Sequence, residues 1–257
     1  MTQTPKIQLI DVHKSFGAKT VLDGVTVEIA PAESFVIIGG SGSGKSVTLK
    51  CILGLMRPDR GRILVDGEDV VEMQPRDREQ VMRKFGMLFQ GAALFDSLKV
   101  WENVAFGLIQ GHKMERRRAK DKAVEKLYAV GLGAEVGELY PAELSGGMQK
   151  RVGLARAIAT EPEIIFFDEP TTGLDPIMAD VINDLIVKCV KELGATAVSI
   201  THDMHSARKI SDRMAMLYHG QLVWVGRTAE VDQADNPFVD QFIHGRAEGP
   251  IKMELRR

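Results

Sequence analysis

The first third of the chain consists of short apolar runs separated by turn residues. KIQLIDV, VLDGVTVEI and SFVIIGG contain alternating or continuous β-branched residues, and Gly17 and Pro31 lie between them. This pattern predicts β-strands. GRILVDGEDV continues the pattern, with a hairpin expected around Asp66 and Gly67.

The middle of the chain changes to a helical period from about Gln90 to Pro141. Further on, EIIFFDEP and GATAVSITHD are compact apolar runs that each precede a helical segment, which is typical of a buried parallel sheet with crossover helices. The order of these segments predicts one domain with an inserted helical lobe. Within that lobe, MERRRAKDKAVEKLYAVGL places four apolar residues on one helix face: Val124, Leu127, Tyr128 and Leu132.

Composition and charge narrow the classes of function. The 257 residues, 44% of them hydrophobic, suffice for one large domain. A net charge of -2 gives no basic field that would attract nucleic acid, and the basic run 116–118 is interpreted as a solvated helix face. Cys51 and Cys189 lie among apolar residues and are predicted as core side chains in a reducing cytosol. Without a long apolar run, we expect membrane attachment only through a partner.

The strongest chemical signal is GGSGSGKS, which follows an apolar strand and opens a helical run. The pattern Gly39-x-x-x-x-Gly44-Lys45-Ser46 is that of a P-loop. Its backbone N–H groups and helix N-terminus suit phosphate, Lys45 can reach the β- and γ-oxygens, and the Ser46 hydroxyl can bind Mg²⁺. The alternative is a flexible glycine- and serine-rich turn, which does not require the flanking strand and helix.

Carboxylates follow the next buried strand. Asp168 at the end of IIFFD can hold the water shell of a metal ion, and Glu169 beside it is the candidate general base for an attacking water. Two carboxylates after a strand can also cap a helix. His202 ends the run SITHD and could bind a γ-phosphate, although a lone histidine after a strand is usually structural.

A second segment also has the features of a phosphate site. In ELSGGMQKR a serine and two glycines precede an amphipathic helical run. Ser145 can donate a hydroxyl, and Gly146 and Gly147 allow close approach to a ligand. An ordinary serine-capped helix would explain Ser145 but not two glycines that weaken a helix start.

These motifs together resemble the ATPase subunit of ABC transporters, in the order of that family. Walker A lies at 39–46, the Q-loop at Gln90, the LSGGMQ signature at 144–149, Walker B at 164–168, the D-loop at 173–175 and the switch histidine at 202. The resemblance implies an α/β fold: a P-loop NTPase ABC-type nucleotide-binding domain with an N-terminal antiparallel β subdomain, a parallel-sheet core and an inserted α-helical subdomain. It places the domain at 6–244, the helical subdomain at about 91–142 and a tail, a candidate dimer contact, at 245–257.

The resemblance also implies ATP and Mg²⁺ as ligands. It assigns Glu169, His202, Lys45 and Gln90 to catalysis and Ser46, Gln90 and Asp168 to the metal. Phe16 stands where many members have a tyrosine that stacks on adenine, and it keeps the aromatic face without the hydroxyl. The residues expected at the nucleotide are Phe16, Gly39, Gly40, Ser41, Gly42, Ser43, Gly44, Lys45, Ser46, Val47, Ser145, Gly146, Gly147, Gln149 and Asp175.

The family explains why the chain has two phosphate motifs. Its ATPases form head-to-tail homodimers in which the signature of one protomer covers the γ-phosphate held by the other, and they bind an integral-membrane permease. The string MLFQGAALFDSLKVWENVAF and the ending FIHGRAEGPI are similar to ATPases of Mla-type phospholipid transporters. That similarity implies a mammalian-cell-entry (MCE) domain partner, a small STAS-type subunit and a place on the cytoplasmic face of the inner membrane.

Two other functions fit the shared motifs. One is the ATPase of a small-solute importer, for instance for polar amino acids, because the core motifs carry no information on cargo. The other is a non-transport ABC protein that acts on DNA or ribosomes. The chain has no coiled-coil insertion, no second cassette and no basic patch, and these absences count against the second alternative.

Overall fold

The computed structural model describes residues 4–252. They form two compact units, unit 1 with residues 4–29, 33–71 and 200–252, and unit 2 with residues 30–32 and 72–199. The strands are β1 Ile7–Phe16, β2 Lys19–Ile29, β3 Ser34–Ile38, β4 Arg60–Val65, β5 Glu68–Asp69, β6 Phe85–Leu88, β7 Ile164–Asp168, β8 Thr196–Thr201, β9 Arg213–Tyr218 and β10 Gln221–Arg227. The α-helices are α1 Lys45–Ile52, α2 Pro75–Met82, α3 Val100–Gln110, α4 Arg116–Ala129, α5 Gly146–Ile158, α6 Pro176–Leu193, α7 Met204–Ile210 and α8 Pro237–Ile243.

Unit 1 contains an antiparallel sheet with the strand order β2-β1-β4-β5. Ile7 pairs with Ile29 on one side and with Val65 on the other, and all three side chains are buried. The predicted hairpin is confirmed, because Asp66 and Gly67 join β4 to β5 with φ values of 53° and 83°. Such positive values are those of a tight hairpin turn.

A second group of strands in unit 1 leads to the P-loop. Strand β3 is parallel to β9, with Phe35 opposite Arg213 and Ile38 opposite Met216, and β9 is antiparallel to β10. The apolar residues of β3 are buried, as expected for a strand covered on both faces. The predicted strand before the P-loop is therefore confirmed, whereas β9 and β10 were not predicted.

In unit 2, β6 and β7 are parallel, with Phe85 opposite Ile164 and Leu88 opposite Phe167. Helix α5 packs on β6. A Cβ atom at Gly86 would lie 2.1 Å from the carbonyl oxygen of Ala157, so the glycine allows this close packing. The predicted strands IIFFD and TAVSIT are β7 and β8, each followed by a helix. An antiparallel sheet, a mixed core sheet and helices confirm the predicted α/β P-loop fold class.

Helices α3 and α4 lie within the predicted helical insertion, whose bounds of 91–142 remain a prediction. The predicted apolar face of α4 is only partly right. Leu127 is buried, but Tyr128 is 61% exposed. Ala119 and Ala123 are fully buried instead, because small side chains allow neighbouring helices to approach closely.

Both cysteines are free and buried, as predicted for core side chains, and burial raises the pKa of each thiol to about 11. The arginines of the basic run are exposed, as expected, and the Arg116 guanidinium lies 4.8 Å above the ring of Trp101. Of the helices between residues 4 and 252, none is both long and apolar enough to cross a membrane.

The predicted tail is described as far as Lys252, and residues 253–257 lie outside the described part of the chain. The side chain of Gln241 holds the described portion. Its Nε2 donates to the carbonyl oxygens of Arg246 and Ile251, both at 3.1 Å, and its Oε1 accepts from the Ile251 N–H. A dimer contact through the tail remains a prediction.

Candidate functional site

The P-loop of unit 1 runs from the end of β3 to the start of α1. Gly39 and Gly44 have φ values of 151° and 111°, a region that favours glycine. A Cβ atom at Gly39 would lie 2.4 Å from the carbonyl oxygen of Leu217, and one at Gly44 would lie 2.8 Å from that of Val21. The surrounding chain therefore requires glycine at both positions.

The interior of this loop is cationic. Lys45 is buried, and its Nζ donates to the carbonyl oxygens of Gly39 at 2.6 Å and Gly40 at 3.0 Å. The N-cap of α1 is Gly44, which has no side-chain oxygen to occupy the N–H groups of the first turn. An ammonium group beside such N–H groups suits a phosphate chain.

Serine hydroxyl groups of the loop add further polar groups to the ammonium and the N–H groups. The Ser43 Oγ is buried and has no hydrogen-bond partner within residues 4–252, whereas Ser46 is exposed at the first turn of α1. Of the other residues expected at the nucleotide, Ser41 and Gly42 are exposed and Val47 is half-buried. The residues of the loop thus fit a bound triphosphate, and Ser46 offers the oxygen ligand that Mg²⁺ prefers.

Two further predicted residues of unit 1 lie at strand ends. Phe16 ends β1 with 48% of its surface exposed, and the Nζ of Lys14 lies 5.7 Å from its ring centre. His202 is exposed directly after β8. The next residue, Asp203, caps α7 by accepting from the N–H groups of His205 and Ser206.

In unit 2 the predicted carboxylates follow β7. Asp168 ends the strand and is half-buried. Glu169 is 9% exposed, and one of its carboxylate oxygens accepts from the Thr172 hydroxyl at 3.2 Å. The backbone of Glu169 has a φ of 47°, which is uncommon and unfavourable for a residue other than glycine.

The signature segment begins α5. Ser145 is its N-cap and accepts from the Met148 N–H at 3.3 Å, so the alternative of a serine-capped helix is also correct. A Cβ atom at Gly147 would lie 2.9 Å from the sulfur of Met178, so packing on α6 explains this glycine. A Cβ atom at Gly146 would meet no other atom within 4 Å, and this residue is exposed.

Gln149 and Asp175, both expected at the nucleotide, also have structural contacts. The Nε2 of Gln149 donates to the carbonyl oxygens of Pro141 at 3.1 Å and Leu144 at 3.3 Å. Asp175 caps α6 and accepts from the N–H groups of two residues, each at 3.0 Å. These side chains therefore hold the signature and the D-loop in shape.

Two cations of α5 were not predicted from the sequence. The buried Nζ of Lys150 donates to the carbonyl oxygens of Gln90 and, at 3.4 Å, of Glu169. Arg156 donates to the carbonyl oxygens of Ala92 and Ala93. Burial lowers the pKa of Lys150, and the charges of Asp168 and Glu169 oppose this shift. The signal was the helical period, which places Lys150 in phase with Gly153 and Ala157 on the buried face.

Comparison with known proteins identifies the family to which this chain is related. The ABC transporter family matches residues 22–172 of this chain. A probable ribonucleotide transport ATP-binding protein of Mycobacterium leprae, mkl, is 41% identical over 96% of this chain and 71% of its own length. The chloroplastic protein TRIGALACTOSYLDIACYLGLYCEROL 3 of Arabidopsis thaliana is 41% identical over 96% and 75%. The intermembrane phospholipid transport system ATP-binding protein MlaF of Haemophilus influenzae is 35% identical over 93% and 90%.

Relatives whose names give a different cargo have comparable sequence identity. The methionine import ATP-binding protein MetN of Caulobacter vibrioides is 42% identical over 86% of this chain and 67% of its own length. Among solved structures, a dimeric ATP-binding cassette in a post-hydrolysis state bound to ADP and Pi matches with a TM-score of 0.79 and 32% identity, over 86% of this chain and 98% of that one. The predicted resemblance to ABC transporter ATPases is confirmed.

The different surroundings of the P-loop glycines lead to a stability prediction. Gly39→Ala should destabilise the protein by about 1–3 kcal/mol or more, because the new methyl group meets a backbone oxygen and the φ value is unfavourable. Gly40→Ala is the matched control, since its new Cβ atom has open space. Thermal unfolding measured by circular dichroism should show a lower melting temperature for the first variant alone. Equal melting temperatures would contradict this account of the loop.

Proposed function

The chain belongs to the ABC transporter family, and from this premise we propose that it powers phospholipid transport between the inner and outer membranes of a Gram-negative envelope. It is an ATPase, because the family hydrolyses ATP. We assign the phospholipid cargo on one observation: the MlaF match extends over 93% of this chain and 90% of that relative.

Nucleotide binding would use residues of unit 1. The Phe16 ring would stack on adenine, and the N–H groups of the loop from Gly39 to Ser46, with the Lys45 ammonium, would hold the phosphates. Ser41, Gly42, Ser43, Gly44 and Val47 belong to the same loop and the first turn after it. The cationic interior of the loop supports this assignment.

Hydrolysis would use Glu169 as the general base that orients and deprotonates water. His202 would bind the γ-phosphate. Ser46, Asp168 and Gln90 are the proposed residues for Mg²⁺, which when bound neutralises negative charge on phosphate oxygens. The donor types, a hydroxyl, a carboxylate and an amide oxygen, fit this ion.

ABC ATPases dimerise and pair with membrane permeases. We propose a head-to-tail homodimer in which Ser145, Gly146, Gly147, Gln149 and Asp175 face the nucleotide of the other protomer. The open space at Gly146, at the positive end of α5, supports this role. The tail from 245 onward would contact the other protomer.

The proposed partners follow from the phospholipid cargo. They are an integral-membrane permease, an MCE-domain lipid-binding protein and a small STAS-type subunit, which would place the chain on the cytoplasmic face of the inner membrane as a peripheral subunit. A net charge of -2 gives no support for a nucleic-acid partner. The second candidate is the ATPase of a small-solute importer, which the 42% identity to a methionine import ATP-binding protein favours.

A purified complex distinguishes the two cargoes. When the chain is purified from membranes in mild detergent, a permease and a lipid-binding protein should copurify with it. Mass spectrometry of the purified complex should find phospholipid in an amount stoichiometric with the complex. The Lys45→Ala complex serves as the control for lipid bound without turnover. Recovery of a periplasmic solute-binding protein, with ATP hydrolysis stimulated by methionine or another polar amino acid, would replace phospholipid by solute import.

Glu169→Gln should reduce turnover by roughly two orders of magnitude or more, because the amide keeps the shape of the carboxylate but cannot accept a proton. ATP binding, measured by equilibrium dialysis, should persist. Glu163→Gln changes a carboxylate just before the other end of β7 and is the matched control. Near-normal turnover of Glu169→Gln would remove this residue from the role of base.

A mixed dimer tests whether the signature acts on the nucleotide of the neighbour. One protomer carries Lys45→Ala and the other Gly146→Asp, whose carboxylate repels phosphate and whose Cβ atom has open space in the protomer. Each homodimer should trap no nucleotide. If the signature acts across the dimer, both defects fall in one site, and a purified heterodimer should trap about half the wild-type amount. If assembled heterodimers trap none, the proposed arrangement is wrong.

A further inference from the structure

We propose that Lys150 is a positioning residue for ATP hydrolysis: its buried ammonium joins the backbone of the Q-loop to the backbone of Glu169 and holds that residue in its working conformation. The proposal rests on the role of Glu169 as base given above. It concerns only unit 2, in which all three residues lie.

The first observation is the geometry of the ammonium group. Lys150 is 5% exposed, and its Nζ donates to the carbonyl oxygens of Gln90 and Glu169, which are 79 residues apart in the sequence. The Glu169 carbonyl oxygen also accepts from the Thr172 N–H at 3.2 Å, so the Lys150 ammonium is its second donor. A charged donor gives a stronger hydrogen bond than a neutral one. One side chain thus connects two loops that the sequence separates widely.

The second observation is the backbone of Glu169. Its φ of 47° is unfavourable for a residue with a side chain, so surrounding contacts must hold it. The bond from Lys150 goes to the carbonyl oxygen of this residue and so restrains the peptide that follows it. The carboxylate itself is held separately by Thr172.

The third observation is that α5 makes a second contact with the segment that begins at Gln90. Arg156 donates to the carbonyl oxygens of Ala92 and Ala93, whose φ values are 58° and 48°. Between the two cations, a Cβ atom at Gly153 would lie 2.7 Å from Leu88, so the helix is packed tightly onto this segment. The Q-loop backbone is therefore fixed by α5, and Lys150 extends that support to Glu169.

The competing explanation is that the buried Lys150 only stabilises the fold and has no effect on hydrolysis. Lys126 is also a buried lysine of unit 2, but it pairs with the carboxylates of Glu125 and Glu161. It therefore provides a matched control for the loss of a buried ammonium. Lys150→Met and Lys126→Met each remove the charge and keep an unbranched side chain.

The test compares wild type, Lys150→Met, Lys150→Arg and Lys126→Met as full-length purified proteins. For each, kcat is measured per bound nucleotide, nucleotide affinity is measured by equilibrium dialysis, and hydrogen–deuterium exchange is followed by mass spectrometry without nucleotide. We expect Lys150→Met to lower kcat by about tenfold or more at unchanged affinity, because the bonds lost are charge-assisted. Exchange should rise at 90–94 and 169–172 only, and Lys150→Arg should restore part of kcat.

The result that overturns the proposal is a kcat per bound nucleotide in Lys150→Met equal to that of Lys126→Met, or unchanged exchange at 169–172. If Lys150→Met does not fold, Lys150→Gln, which keeps a shorter donor, is judged by the same two measurements. Hydrogen–deuterium exchange is measured without nucleotide and so does not depend on catalysis. If exchange rises in Lys150→Met but Glu169→Gln keeps full turnover, the base role of Glu169 is contradicted. If exchange is unchanged in Lys150→Met and Glu169→Gln loses turnover, only the role of Lys150 is contradicted.

Discussion

Backbone carbonyl groups at the strand ends set the main constraint on this molecule. A loop that has to face a ligand cannot pair its carbonyl groups in a sheet ladder, so these groups need other donors. In unit 1 the ammonium of Lys45 donates to Gly39 and Gly40. In unit 2 Lys150 and Arg156 donate to four carbonyl groups of the Q-loop and the segment after β7. Two buried lysines and the half-buried Arg156 thus supply donors in place of the ladder.

This use of cations also explains the unusual backbone after β7. A side chain that must project from a strand end in a set direction can require a left-handed residue, at a cost of about 1–3 kcal/mol. Glu169 has this conformation. Its carbonyl oxygen accepts from Lys150 and from the Thr172 N–H, and its carboxylate accepts from the Thr172 hydroxyl. The same helix that supplies Lys150 begins with the signature, so the position of the signature and the position of Glu169 depend on one rigid element.

The fold class and the strands on either side of the P-loop could be predicted from the sequence, because apolar runs and glycine spacing are local signals. The same signals predicted β7, which ends at the candidate residue Asp168, and β8, which is directly followed by the candidate residue His202. Strand β9 was missed because its buried run Met-Ala-Met-Leu contains no β-branched residue. Strand β10 was missed because half-buried residues such as Leu222 and Trp224 give no clear alternation. Lys150 was missed because its partners are 60 and 19 residues away, which no local pattern shows. The exposed Tyr128 was misplaced because periodicity identifies a face without saying which residues the neighbouring helices cover.

The glycines of the two phosphate motifs differ in the space that surrounds them. Gly39 and Gly44 are required by the chain itself, because a side chain there would meet the backbone oxygen of Leu217 or Val21, whereas Gly147 faces the flexible side chain of Met178. Gly40 and Gly146, one in each motif, have open space and no positive φ, so a Cβ atom would fit within the protomer at both positions. Nothing within the described protomer accounts for glycine there, and at Gly146, the first residue of α5, glycine is a poor helix former. Close approach of a group outside the protomer would account for both, and at Gly146 the proposed group is the nucleotide bound by the other copy of the chain.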